Sequence, residues 1–346
     1  YKLTKNGFEL DLSFFSFYTF DRKPNFFSKK FFDVFGKPRK KLDRLLKTHY
    51  QIASAMQRNF EKIVVHLIKI LRKKSSSKNL ILGGGAAMNC VFNGKLDYLN
   101  LYKDNHISYA PDDSGVSVGA ALYAYHKFSK SKFKPNEIKE CYFGPRFSDK
   151  EIRRTLNEFK INFKKIDKIE EYTAKELSDG KLIGWFQGNM EFGHRALGNR
   201  SILADPRKKN VKDIINKAVK FRESFRPFAP AILEEYQNDF MLIPKKRRVY
   251  FMERAYKFKK NWLKKIPGVV HTDQTGRIQT VSKKINSRFY KLIENFKHIT
   301  GVPILLNTSF NLNGEPIVLS PTDAIRTFYS CGLDILILDK YVIKKN

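Results

Sequence analysis

Between Gln187 and Ser201 the chain sets three glycines and two arginines, Arg195 and Arg200, beside Asn199 and Ser201, with few large apolar side chains. Such a stretch does not build core, and guanidinium forks bind phosphate or carboxylate through paired hydrogen bonds. A merely solvated loop would not need so many glycines beside arginines. Lys220, Arg222 and Arg226 make a second cationic cluster just before Pro227-Phe228-Ala229-Pro230. A third polar group, Asn307-Thr308-Ser309-Phe310-Asn311, follows an apolar run at 302–306 that reads as a buried strand. Amides and hydroxyls at the carboxyl end of a strand are where open α/β sheets hold ligands. Ordinary turn chemistry is the competing reading.

Two further junctions carry chemistry-bearing residues. Gly83-Gly84-Gly85 join an apolar strand at 79–82 to a small-residue helix start, Ala86-Ala87-Met88-Asn89. Glycines there let backbone N–H groups reach a phosphate or nucleotide. No G-K-[ST] follows and Met88 breaks G-x-G-x-x-G, so tight strand–helix packing explains the run equally well. Asp112-Asp113-Ser114-Gly115 stands at a strand-to-helix junction, with a strand end expected at 109–111. A carboxylate there holds a metal or a ribose hydroxyl, or caps a helix.

The elements that must position these groups alternate. Apolar spacing predicts a long amphipathic helix from Leu42 to about 71, and short aromatic runs before it, punctuated by Pro24, read as strands or packed loop. A helix at 118–126 precedes a Lys/Ser/Pro-rich linker at 128–139. Ser148 and Glu151 form a capping box that opens a helix through 156. A strand at 182–186 and helices at 211–221 and 321–328 complete the series. Strands alternating with helices in both halves make the class α/β, divided at the linker into residues 1–140 and 141–346.

Composition narrows the field. Of 346 residues, 42% are hydrophobic and 29% charged, enough for a core and against wholesale disorder. No run approaches the ~18 apolar residues of a membrane helix. Cys90, Cys141 and Cys331 are scattered, with no C-x-x-C, which excludes a disulfide scaffold or thiolate zinc site and fits a reducing cytoplasm. The seven histidines include no H-x-x-x-H or H-E-x-x-H pair. The net charge of +32 attracts nucleic acid, anionic membrane or small anions such as nucleotides. The lysines are spread along the whole chain, which favours compositional drift over a dedicated RNA surface. A start on Tyr1 running into strand-like sequence leads us to expect a fragment lacking an N-terminal part.

Several motifs together are specific. The stretch from Glu191 to Arg207, EFGHRALGNRSILADPR, resembles the hallmark of the O-carbamoyltransferases related to NodU and the antibiotic-tailoring carbamoyltransferases. HTDQTGRIQTV, which contains His271 and Arg277, is similar to the same family, as are LNTSFNLNGEPIV from Leu306 and LGGGAAMNCVFNGKL from Leu82. Lys220-Phe221-Arg222 resembles the K-x-R of YrdC proteins and Thr308-Ser309-Phe310-Asn311 their T-S-A-N.

The resemblance implies a partial TsaD-like domain of the actin/Hsp70 type over 1–140, followed by a YrdC-like open twisted α/β domain over 141–346. It implies formation of carbamoyl-adenylate from carbamoyl phosphate and ATP, and transfer of the carbamoyl group to a hydroxyl of a small molecule or glycan. Arg195, Lys220, Arg222 and Ser309 are then the expected catalytic groups. Gly83, Gly84, Gly85, Asn89, Asn199, Arg200, Ser201, Arg226, His271, Arg277, Asn307, Thr308 and Asn311 are expected to bind substrate or nucleotide. Asp113 matches one ligand of the family's divalent metal, iron by analogy, whose two histidine partners have no counterpart in this sequence. Position 194 is His where the family usually has Pro. A threonylcarbamoyl transferase acting on tRNA, and an inactive RNA-binding or regulatory protein, are the alternatives.

Overall fold

The structure, a computed structural model, describes residues 1–17, 26–40, 43–129, 139–244 and 247–345. It opens with the hairpin β1 (Lys2–Thr4) and β2 (Gly7–Glu9) and the helices α1 (Lys29–Phe35) and α2 (Lys47–Lys74). β3 (Asn79–Leu82), α3 (Cys90–Leu96), β4 (Asp104–Ile107) and α4 (Val116–Phe128) follow. The next elements are α5 (Asp149–Glu158), β5 (Lys164–Lys165), α6 (Ile169–Ser178), β6 (Ile183–Phe186), β7 (Arg200–Ala204), α7 (Val211–Ile214) and β8 (Ala229–Leu233). Then come α8 (Gln237–Phe240), β9 (Ala255–Lys257), β10 (Thr275–Arg277), β11 (Gln279–Val281) and α9 (Ser287–Thr300). β12 (Ile304–Ser309), α10 (Pro321–Tyr329), β13 (Ile335–Leu338) and β14 (Tyr341–Lys344) close the described chain.

Eight strands form one mixed sheet in the order β11-β8-β12-β7-β6-β13-β14-β5. β8 with β11 and β6 with β13 are parallel, and the remaining pairs are antiparallel. β6, β8 and β13 are apolar and buried along their whole length because both faces are covered, and the two-residue period assigns each side chain to a face. Ile202, Ile304, Leu306, Leu336 and Leu338 join one core with Ile152 and Leu156 of α5 and Phe328 of α10. Leu203, Leu305, Ile335 and Ile337 join the other with Leu177 of α6 and Phe289 and Phe296 of α9. The α/β class read from the sequence is the one the chain adopts, as a large mixed sheet between helical layers.

By compactness the chain falls into two units, residues 1–80 with 100–104, and residues 81–99 with 105–346. The cut therefore differs from the division at 140, and a close approach shows why α3 belongs to the larger unit. A Cβ on Gly94 would lie 2.0 Å from the Ala255 carbonyl oxygen of β9.

The capping box is as expected, with the Ser148 N–H donating to Glu151 Oε2 at 2.7 Å and the Glu151 N–H to Ser148 Oγ at 3.3 Å. Two expectations need correction. Tyr109 and Ala110 are buried but form no strand, since β4 ends at Ile107. The helix expected over 211–221 is α7 followed by a π-turn, Ile215–Val219, and the backbone turns out of helix at Phe221 with φ +46°. Leu42, Pro24 and positions 130–138 of the expected linker lie outside the described residues.

Candidate active site

Glu191 organises the glycine- and arginine-rich loop from inside. Its Oε1 accepts the backbone N–H groups of Leu197, Asn199 and Arg200 at 2.7, 2.7 and 3.2 Å. Burial pushes this carboxyl up from its ordinary value, against those hydrogen bonds and the nearby Arg200. Gly198 holds φ +103°, and a Cβ there would lie 2.3 Å from the Phe289 ring, so the loop can settle on α9 only with glycine at this point.

The two arginines of the loop have opposite fates. Arg200, expected to bind a ligand, is fully buried, its guanidinium above the Phe186 ring at 3.5 Å. It donates to the carbonyls of Gln187 (2.6 Å), Asn199 (3.1 Å), Gly188 (3.2 Å) and Pro145 (3.2 Å). Nη1 and Nη2 are committed to these carbonyls and only Nε lacks a described partner, so Arg200 is part of the scaffold. Asn199 and Ser201 join it. Asn199 Oδ1 accepts from Gln187 and Asn286, and Ser201 Oγ accepts the Gly198 N–H at 3.0 Å.

Arg195 instead lines a cavity of 320 Å³ shared with Arg222, Arg226, His271, Arg277 and the β12 residues Asn307, Thr308 and Ser309. Eight expected site residues thus meet, drawn from the 187–201 loop, the segment between α7 and β8, the turn before β10 and β10 itself, and the end of β12. Among the described residues, neither Arg195 nor Arg277 has a side-chain hydrogen bond or ion pair, and Arg277 Nε is buried without a partner. Burial, and then Arg277, pull the Arg195 guanidinium down to about 10. Burial likewise lowers Arg222 to about 10, with Arg226 and Arg277 adding to it. Arg222 is aimed by the Asn216 side chain at 2.8 Å and the Phe228 ring at 5.0 Å, while Arg226 pairs with Glu223 at 3.0 Å. His271 is pulled down to about 4 by burial and is neutral at neutral pH. The cavity is a cluster of cations with too few anions, which is the electrostatic form of an anion site.

Lys220 is not part of this lining. Its Nζ lies 2.6 Å from the Ser309 carbonyl, 2.9 Å from the Asn311 carbonyl and 2.6 Å from Asn311 Oδ1, tying the turn that follows β12. Burial, and then Arg222, pull it down to about 7. An unfolded lysine titrates near ~10.4, so between about pH 7 and 10.4 the unfolded chain holds the extra proton. Stability should therefore rise with pH across that window, the penalty for charging Lys220 being fully present below it. Urea titrations of the protein and of Lys220→Met across the window should show a flatter profile in the variant.

Gly83, Gly84, Gly85, Asn89 and Asp113 also stand apart from the cavity. The Gly84 N–H donates to the Pro111 carbonyl at 2.6 Å, and Asn89 Oδ1 caps α3 on the Phe92 N–H at 3.1 Å. Both contacts favour the packing explanation of the glycine run. Asp113 is exposed, and its neighbour Asp112 pairs with His194 Nε2 at 2.7 Å and with Ser114. Asp112 is held below the usual carboxylate range by Ser114 first and His194 second. Among the described residues no three His, Cys, Asp or Glu side chains gather as metal ligands, so Asp113 and its surroundings do not fit a metal site by themselves.

Sequence reasoning missed Cys90, Phe228 and Met252, which line the cavity, and Glu191, which shapes its loop. Cys90 stands next to Asn89 in a stretch already singled out, which was its one signal. Glu191 opens the hallmark stretch quoted above, which was its signal, but nothing in the sequence says that its carboxylate turns inward.

Comparison with known proteins matches residues 2–122 to the carbamoyltransferase N-terminus and residues 174–345 to the carbamoyltransferase C-terminus. The chain is 42% identical to nodulation protein NolNO of Sinorhizobium fredii over 86% of its own length and 44% of that protein's. It is 40% identical to nodulation protein NolO of Bradyrhizobium diazoefficiens over 86% of this chain and 55% of the relative. An uncharacterized protein of Synechocystis matches at 34% over 98% of this chain and 59% of its own. The chain spans about half the length of these relatives. Among solved structures, HypF of T. kodakarensis aligns with 59% of this chain and 22% of its own at 15% identity and a TM-score of 0.30, too distant to carry an argument. No described helix is long and apolar enough to cross a membrane.

Proposed function

Since this chain belongs to the carbamoyltransferase family, we propose that its arginine-lined cavity takes the phosphate end of carbamoyl phosphate together with the phosphates of ATP. The observation that carries this reading is the pair Arg195 and Arg277, two half-buried arginines that line one cavity, neither with a described hydrogen-bond or ion-pair partner, the second disfavouring the charge of the first. A bound phosphate relieves that repulsion. Two anionic reactants must be neutralised before they meet, and preorganised charge is the main tool for such chemistry. Loss of phosphate from carbamoyl phosphate to water leaves carbamate. Attack of a carbamate oxygen on the α-phosphorus of ATP gives carbamoyl-adenylate and pyrophosphate. The acceptor hydroxyl then displaces AMP from the carbonyl carbon. In this reading residues 141–346 are the YrdC-like adenylate-forming domain, and residues 1–140 belong to a TsaD-like domain that presents a hydroxyl-bearing small molecule or glycan.

The test is ATP–pyrophosphate exchange by the intact chain. Exchange that depends on carbamoyl phosphate supports the proposal. Dependence on threonine and bicarbonate would move the reading to the tRNA-modifying class, and tight RNA binding without exchange would sink both. Arg222→Ala should slow exchange about 30- to 1,000-fold, for the loss of ~2–4 kcal/mol of transition-state stabilisation. Ser309→Ala should cost about 1 kcal/mol, the worth of one neutral hydrogen bond.

A further inference from the structure

Among the described residues lining the cavity, Asn307 Oδ1 is a buried acceptor that an anion cannot satisfy, and His271 Nε2 is likewise without a partner but donates or accepts according to its tautomer. Asn307 lies on β12 between β7 and β8, paired with Leu203 on one side and Ala229 on the other, so its backbone is fixed from both directions. The residue is fully buried, it lines the cavity, and its Oδ1 has no hydrogen-bond partner. The orientation of its amide follows from a chain of obligations that begins at the Leu197 carbonyl. A carbonyl only accepts, so Gln279 must turn its Nε2 toward it, at 2.8 Å. Gln279 Oε1 then faces Asn307 and must receive a hydrogen, which Asn307 Nδ2 gives at 2.8 Å. The second Nδ2 hydrogen goes to the Ala196 carbonyl at 3.2 Å. Both donors of Asn307 are used and the acceptor is left over. No flip of either amide improves the arrangement, since it would set a carbonyl against a carbonyl.

We propose that Asn307 recognises the carbamoyl group itself, its Oδ1 accepting a hydrogen bond from the ligand's primary amide. This rests on the reading that the cavity takes the carbamoyl donor. The guanidiniums of Arg195, Arg222 and Arg277 offer only donors, which a phosphate satisfies and an amide N–H does not. A buried acceptor with no donor is expensive to leave unmade. A ligand with phosphate oxygens at one end and N–H groups at the other answers both demands, and an acyl phosphate bearing a methyl group answers only the first. Asn307 is in this sense a specificity residue, separating a carbamoyl donor from an acetyl one of equal charge and similar shape. The Ser309 hydroxyl is held by other contacts, donating to Asn311 Oδ1 at 2.7 Å and receiving from Lys220 Nζ at 3.3 Å.

Isothermal titration of the full chain with inorganic phosphate, phosphonoacetamide and acetonylphosphonate tests this, the last two differing only by an amino group against a methyl. The amide should bind about tenfold tighter or more than the ketone, as sites built to pair a polar group reject analogues lacking it. In Asn307→Val that preference should shrink below about twofold, with the variant still binding inorganic phosphate. Equal affinity for amide and ketone in the unsubstituted chain, alongside phosphate binding, overturns the role of Asn307 and leaves the anion cavity standing. Retained preference in the variant overturns it as well. Absence of phosphate binding overturns the cavity reading beneath it, and the ligand pair decides the matter even if the variant does not fold.

Discussion

Arg200→Ala is expected to lose about 3–5 kcal/mol of folding stability, the usual result of removing one partner from a buried, hydrogen-bonded charge. The side chain is fully buried, and its loss would leave the carbonyls of Gln187 and Gly188 without their described donors and take from the Pro145 carbonyl one of its two, the other being the Met190 N–H. It would also remove the cation nearest Glu191, a carboxyl that burial already disfavours in its charged form. The loop from Gln187 to Ser201 would then lose its anchor from both ends. Chemical denaturation measures the effect, and a midpoint within error of the unsubstituted protein would refute the scaffold role. Arg200→Lys should recover little, because an ammonium cannot reach four carbonyls that lie in the fork of a guanidinium.

Arg195→Ala and Arg277→Ala should behave in the opposite way. Each removes one of two cations that repel each other without an intervening carboxylate, so stability should hold or rise slightly. Phosphate affinity should fall about 10- to 150-fold for each, corresponding to ~1.5–3 kcal/mol for a hydrogen bond to a charged group. The double variant should fall short of the sum, since the two share one anion. Titration with inorganic phosphate at fixed ionic strength, run beside thermal melts, separates the outcomes. Unaltered affinity with lowered melting temperature would make both arginines structural.

Five positions separate Arg195 from Arg200, and the contrast between them marks how far the sequence could be read. The cationic character of the loop was legible from its arginines, but the expectation that such a stretch stays out of the core fails, since Ala196 to Ser201 are all buried. Which arginine faces the ligand was not legible. That depends on Glu191 folding back under the loop and on the Pro145 carbonyl, which belongs to a segment some fifty residues earlier. The placing of Lys220 was illegible for a related reason. Its place beside Arg222 reads as a shared role, but the π-turn and the reversal at Phe221 send the two side chains to different tasks.

Elements were more legible than contacts. Strands such as β6 and β12 announce themselves by unbroken apolar runs, since both sheet faces are covered. The helix at α5 is fixed by its own capping box, a purely local device. The region around Tyr109 shows the limit. Its apolar residues are buried against loops such as Gly193, where a Cβ would lie 2.6 Å from the Tyr109 carbonyl oxygen, and no periodicity in a window of sequence reports that kind of burial.

The pairing of β6 with β13 bears on how this protein is made. Ile183 lies opposite Ile335, and β13 sits inside the sheet, between β6 and β14. A ribosome emits β6 long before it emits the strand that covers β6's open edge, at a pace of roughly 5–20 residues per second. For several seconds that edge, with Trp185 and Phe186 on it, has no native neighbour to pair with. Parallel pairings between distant segments also form slowly once the chain is complete. Nascent chains of this protein should therefore be strong clients for chaperones that shield apolar strand edges, and yield in expression should depend more on that shielding than on the stability of the finished fold.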